Sequence, residues 1–201
     1  MFPLFETIRI ENGVPMNLEW HQERVNASFL MLYGNIEPHQ LTRIVKVSEH
    51  DREGTVKCRL LYNDRNYRLE FEPYYIRNIK SLKLVQAEDL DYFFKFTDRS
   101  EINKLFKLKG ECDDILIVKD GLITDTSYTN ILFYNGTKWI TPAYPLLKGT
   151  CRNRLLKKCI IVEENITPND LRSYISFMLV NAMMDYDTGR SVDIDGIKLD
   201  M

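Results

Sequence analysis

The chain has 201 residues, is 44% hydrophobic and 28% charged, and sets 27 Lys and Arg against 29 Asp and Glu for a formal net charge of −2. That is the balance of an ordinary globular chain, long enough for one large domain or two small ones, and it lacks the basic excess that nucleic acid or an anionic membrane surface would call for. No apolar run reaches the length of a membrane span, and residues 1–6 meet Glu6 with no basic start, so neither an anchor nor a secretion signal is expected. Cys58, Cys112, Cys151 and Cys159 form no CxxC pair, so they are expected as reduced thiols in a cytoplasmic protein, and with three histidines no metal centre is expected.

In chain order, residues 5–10 alternate as a strand and Glu11-Asn12-Gly13 reads as a turn. Asn17 is placed to cap a helix over 18–33, with Leu18, Arg24, Val25, Ser28, Phe29 and Leu32 at helical spacing. His21 and Arg24 share a face of it. A second helix is expected over 36–47. Residues 56–62 and 67–71 read as a hairpin closed at Asn63-Asp64, and Arg59 on its first strand read alone is a solvated or paired arginine. A strand starts near Leu82, and the chain divides near 78–88 into a small domain, 1–83, and a larger one, 84–201.

Lys95 sits in Tyr92-Phe93-Phe94-Lys95-Phe96. Read alone it is a lysine snorkelling from an aromatic strand, although desolvation there also lowers an amine's pKa and makes it a candidate nucleophile. A helix over 100–109 follows, its lysines forming a solvated face. Ile115-Leu116-Ile117-Val118 is a buried strand. Asp120-Gly121 turns the chain into Thr124-Asp125-Thr126-Ser127, a polar cluster ending at Asn130. An apolar strand, an Asn135-Gly136 hairpin and Trp139-Ile140-Thr141 come next. Beyond Pro142 and Pro145, Leu147-Lys148-Gly149-Thr150 enters a helix carrying Arg152 and Arg154. A glycine before a helix start lets N–H groups approach an anion, which the helix dipole favours. A short strand at 160–162, a helix capped by Thr167 with Pro168 first, a strand over 175–180 running into Asn181-Ala182, and a closing strand near 192 complete the chain.

The run Asp125-x-Ser127-x-x-Asn130, Thr141-Pro142 and Leu147-x-Gly149-Thr150-x-Arg152 resembles the signature of class IV, fold-type IV pyridoxal-phosphate enzymes, a family of aminotransferases and aminodeoxychorismate lyases. The family usually has Glu where this chain has Asp125, and an Ile-Thr pair where it has Thr150-Cys151. The segment 4–28, with its His-x-x-Arg helix, extends the likeness. The resemblance implies two α/β domains with pyridoxal 5'-phosphate in the cleft between them, normally in a homodimer whose partner lends residues to the substrate pocket. It implies Lys95 as the Schiff-base lysine, 30 residues before Asp125 (125 − 95), and Asp125 as partner of the pyridine nitrogen. Arg59, the N–H groups of Thr150 and Cys151, and the Asn181-Ala182 loop would hold the phosphate.

For the reaction, the compact chain, Asn181-Ala182 and Cys151 resemble a lyase that turns 4-amino-4-deoxychorismate into 4-aminobenzoate and pyruvate for folate synthesis. An aminotransferase for branched-chain or D-amino acids is the alternative. A non-catalytic relative that has lost the cofactor is a third, in which Asp125 serves as an Asx-type turn or cap.

Overall fold

The structure is a computed structural model and describes residues 2–199. The described residues form two compact units: 2–76 with 94–98, and 77–93 with 99–199. Residues 77–83 therefore belong to the second unit and 94–98 to the first, where the sequence divides the chain at 83/84.

The first unit contains β1 (Leu4–Glu11), β2 (Val14–Pro15), α1 (Leu18–Tyr33), α2 (Leu41–Ile44), β3 (Thr55–Tyr62) and β4 (Tyr67–Pro73). Its strands form one antiparallel sheet in the order β2-β1-β3-β4. Asn12 and Gly13 both take positive φ in the turn that joins β1 to β2, as a two-residue hairpin requires. Helix α1 has the expected bounds. Asn17, however, caps it in a left-handed conformation (φ 54°) without a side-chain hydrogen bond. The helix expected over 36–47 shrinks to the single turn α2, because Pro38 disfavours helical backbone at Glu37.

The core of this unit gathers alternate residues of β1 and β3, among them Leu4, Ile8, Val56, Cys58 and Leu60, against Val25 and Phe29 of α1. Strand alternation then forces Glu6, between Leu4 and Ile8, into the same apolar layer. Glu6 is fully buried. Arg24 Nε donates to Oε1 at 2.8 Å and Arg24 Nη2 to Oε2 at 2.5 Å, while His21 Nδ1 lies 2.6 Å from Oε2. Burial alone would raise the Glu6 carboxyl; Arg24 and His21 outweigh it and hold it at about 2. Burial likewise pushes His21 down and keeps the imidazole neutral.

The second unit contains β5 (Leu82–Gln86), α3 (Ser100–Phe106), β6 (Asp114–Lys119), β7 (Leu122–Thr126), β8 (Asn130–Tyr134), β9 (Trp139–Pro142), α4 (Thr150–Lys157), β10 (Ile161–Glu164), β11 (Ser176–Val180), β12 (Val192–Asp193) and β13 (Ile197–Lys198). Its sheet runs β10-β9-β8-β7-β6-β5-β13, with β11 paired to β8 and β12 to β11. The pairs β5/β6, β13/β5 and β9/β10 are parallel and the others antiparallel. Ile115 to Val118 of β6 are all fully buried, which explains their unbroken apolar run. Helix α3 ends in a 3-10 turn over Lys107–Lys109. The helix expected after Thr167 is the 3-10 segment Pro168–Ser173, opened by a Thr167/Asp170 capping box. Among the described residues no helix is long and apolar enough to cross a membrane.

Glu6→Gln should destabilise the protein by about 3–5 kcal/mol in urea denaturation at neutral pH, because it leaves the Arg24 charge without its buried partner. The folded carboxyl titrates below its ordinary 4.5, so its stabilisation is full above that pH and lost as pH falls toward 2. The variant should therefore show a shallower loss of stability with acid than the parent.

Candidate active site

Asp125 is the centre of the polar web in the second unit. Strands β7 and β8 meet at one register pair, Asp125 opposite Asn130, after a tight turn in which Thr126 N donates to Thr129 O. Asn130 Nδ2 donates to Asp125 Oδ1 at 2.7 Å and to Leu147 O at 2.9 Å, and Leu147 N donates to Asp125 Oδ2 at 2.9 Å. Both carboxylate oxygens are thus fixed, and the loop leading to α4 is fastened to β7. Burial raises the Asp125 carboxyl to about 6, against the pull of the Leu147 N–H, Asn130 and the Arg152 charge.

Gly149 follows directly. Its φ of −64° needs no glycine, but a Cβ there would lie 2.0 Å from Asn130 Oδ1. Glycine is required so that the Asn130 amide can pass beneath the helix start. Helix α4 begins at Thr150 with no side-chain cap, so its first N–H groups point out of the helix as donors for an anion. Thr150 and Cys151, expected at a phosphate, stand at that end.

The Cys151 side chain faces the other way, into an apolar cluster with Leu155, Ile161, Met178 and Val180. Burial pushes its thiol up to about 12, so Cys151 offers only its backbone N–H. Asn181 and Ala182 lie in a turn closed by the reciprocal bonds between Asn181 and Met184. Asn181 Oδ1 accepts from Met183 N at 2.8 Å and Met184 N at 2.9 Å, so it shapes the turn itself. The Arg154–Asp185 ion pair joins α4 to the segment just after this turn. The two expected phosphate elements are thereby tied together.

Arg152, one of the largest fully buried side chains, donates through Nη2 to Pro142 O and Glu163 Oε2, both at 2.8 Å. It pins α4 to the ends of β9 and β10. A cavity of about 400 Å³ is lined by Tyr92, Thr124, Tyr144 and Leu146 among others but not by Asp125, which alternates to the other face of β7.

Lys95 and Arg59 belong to the first unit, and the structure brings these two together. The Lys95 Nζ lies 4.5 Å from the centroid of the Phe5 ring and the Arg59 guanidinium carbon 5.3 Å from the same centroid. Arg59 also meets Glu70 at 3.2 Å. Sequence reasoning missed Phe5, Glu6, Arg99 and Asp185. Arg99 Nη2 donates to Ser127 O at 2.6 Å and its guanidinium lies 5.6 Å from the Tyr92 ring, fastening the start of α3 to the turn after Asp125. Only Glu6 left a signal, its parity with Leu4 and Ile8.

The sequence matches the model of the amino-transferase class IV family over residues 3–186. The chain belongs to the class IV aminotransferase family. An uncharacterized protein of Haemophilus influenzae is 36% identical over 185 residues, 91% of this chain and 98% of the relative. The crystal structure of a proposed 4-amino-4-deoxychorismate lyase from Haemophilus somnus is similar with a TM-score of 0.87 and 39% identity, covering 92% of this chain and 98% of that one. A fold IV transaminase from Curtobacterium pusillum shares the fold at a TM-score of 0.74 and 16% identity, covering 97% and 78%. This class IV aminotransferase family member therefore has the fold-type IV architecture and belongs among pyridoxal-phosphate-dependent enzymes.

The raised Asp125 carboxyl has a measurable sign. Its folded value of about 6 lies above the ordinary 3.8, so its contribution to stability is full below pH 3.8 and lost as pH rises through 6. In protein free of cofactor, Asp125→Asn should gain stability relative to the parent over that interval, by up to about 3 kcal/mol, in denaturation curves taken at several pH values. Gly149→Ala should lose about 1–3 kcal/mol, because the new methyl displaces Asn130 and leaves buried polar groups unpaired. Its thermal midpoint, compared with that of an Asn130→Ala/Gly149→Ala double variant, should show strong non-additivity.

Proposed function

We propose that this protein binds pyridoxal 5'-phosphate and eliminates pyruvate from 4-amino-4-deoxychorismate to give 4-aminobenzoate, a step of folate synthesis. The observation that carries the cofactor reading is the Asp125 web. A buried carboxylate with both oxygens fixed is joined by Asn130 to an uncapped helix start. That donor set suits a ligand with a basic ring nitrogen at one end and a phosphate at the other. The 39% identity to the proposed Haemophilus somnus lyase, over nearly the whole of both chains, favours the lyase reaction. The family's name and the transaminase of the same fold favour the second reading, an aminotransferase.

Bound pyridoxal phosphate supplies an electron sink beside the bond that breaks. The chain's own residues do the rest. Asp125, ionised above about pH 6, holds a proton on the ring nitrogen and keeps the ring oriented. Thr150 and Cys151 present backbone N–H groups to the phosphate, with the Asn181-Ala182 turn held beside α4 by Arg154 and Asp185. Arg59 adds a guanidinium for the phosphate once Glu70 yields it. The Lys95 Nζ is the amine that binds the cofactor and moves a proton to and from substrate carbon.

The parent protein, given pyridoxal phosphate, should turn yellow, and Lys95→Ala should bind without the same visible absorbance band. A parent that stays colourless would sink the cofactor reading. With 4-amino-4-deoxychorismate, 4-aminobenzoate and pyruvate should appear in equal amounts with no keto acid added. Turnover that needs a keto-acid acceptor would favour the aminotransferase instead.

A further inference from the structure

Residues 5 and 6 at the start of β1 gather four of the first unit's basic side chains. The Leu4 backbone bridges to Phe96, and Phe5 N donates to Lys95 O at 3.1 Å, so the segment 94–98 lies along the edge of β1. Glu6 faces the core, and Phe5 takes the opposite face. In the β1/β3 register Phe5 opposes Leu61 and Thr7 opposes Arg59, which makes Arg59 a diagonal neighbour of Phe5 on that face. Lys95 and Arg59 thus reach one ring from two sides of the same strand, at 4.5 and 5.3 Å from its centroid.

The negative face of an aromatic ring attracts a cation within about 6 Å, more strongly as water is excluded. Phe5 is only 7% exposed. The second cation opposes the first: like charges near one another favour release of a proton from the group that can titrate, and arginine does not. Glu70, 3.2 Å from Arg59, moderates that repulsion. The ring attracts the Lys95 ammonium and the Arg59 charge opposes it, with the His21 imidazole of α1 also within electrostatic reach of Lys95.

We propose that Phe5 is a positioning residue for Lys95, its ring holding the ammonium group in place while Arg59 on the same ring sets how readily the free amine is released. The assignment rests on Lys95 being the cofactor-binding amine, but its test does not. In the full chain freed of cofactor, each lysine's reactivity is read by competitive labelling with acetic anhydride and mass spectrometry, with exposed Lys158 as internal reference. Phe5→Leu should raise the Lys95 to Lys158 labelling ratio about 2- to 30-fold near neutral pH, and Arg59→Gln should lower it. General loosening of the unit would raise both ratios, so the opposite signs separate positioning from damage. Should Phe5→Leu fold poorly, phenylalanines bearing one, two and three ring fluorines at position 5 keep the shape while weakening the ring's negative face, and the ratio should climb with each fluorine. A flat fluorine series, or Arg59→Gln moving in the same direction as Phe5→Leu, would overturn the proposal. Because the labelling needs no cofactor, a colourless parent would defeat the proposed function without touching this result.

Discussion

The interaction on which the second unit depends is the three-way hydrogen bonding among Asp125, Asn130 and Leu147. One side-chain amide joins two strands and a loop. It stands at the register pair that joins β7 to β8, and it sets where α4 begins. The missing side chain at Gly149 and the fixed orientation of the Asp125 carboxylate are consequences of that one placement. A carboxylate that is buried and fully hydrogen-bonded cannot swing away, so its charge is preorganised.

The first unit uses burial differently. Alternation along β1 delivers Glu6 to the core and Phe5 to the other face, and each collects basic side chains by its own physics. Glu6 works by ion pairing in a dry layer, where an unpaired charge would be intolerable. Phe5 works by the quadrupole of its ring. Neighbouring residues in a strand thus position four basic side chains, His21 and Arg24 on one side, Lys95 and Arg59 on the other.

Much of this was legible in the sequence. The Asn12-Gly13, Asp120-Gly121 and Asn135-Gly136 hairpins were readable because positive φ is required there and few residues accept it. Helix α1 was readable from its apolar spacing. Helix α2 was not, because Leu41, Ile44 and Val45 keep helical spacing on paper while the backbone before Pro38 does not continue it. Glu6 was missed because a single acidic residue in a strand is ordinarily solvated, and only counting its parity against Leu4 and Ile8 reveals it. Gly149 was located correctly, but its role as room for Asn130 depends on a residue nineteen positions earlier (149 − 130), and no local pattern carries that.

The segment 94–98 also bears on how the protein is made. The chain leaves the first unit after residue 76, returns at 94 and leaves again after 98. On the ribosome the first unit has its sheet and helices once β4 has emerged, yet the edge of β1 at Leu4 and Phe5 stays uncovered until some twenty more residues appear (96 − 73 for Phe96 after Pro73). An exposed strand edge beside apolar side chains is a site for mispairing. The nascent chain therefore carries an uncovered strand edge through that interval, and an amino-terminal fragment ending before residue 94 would carry it permanently.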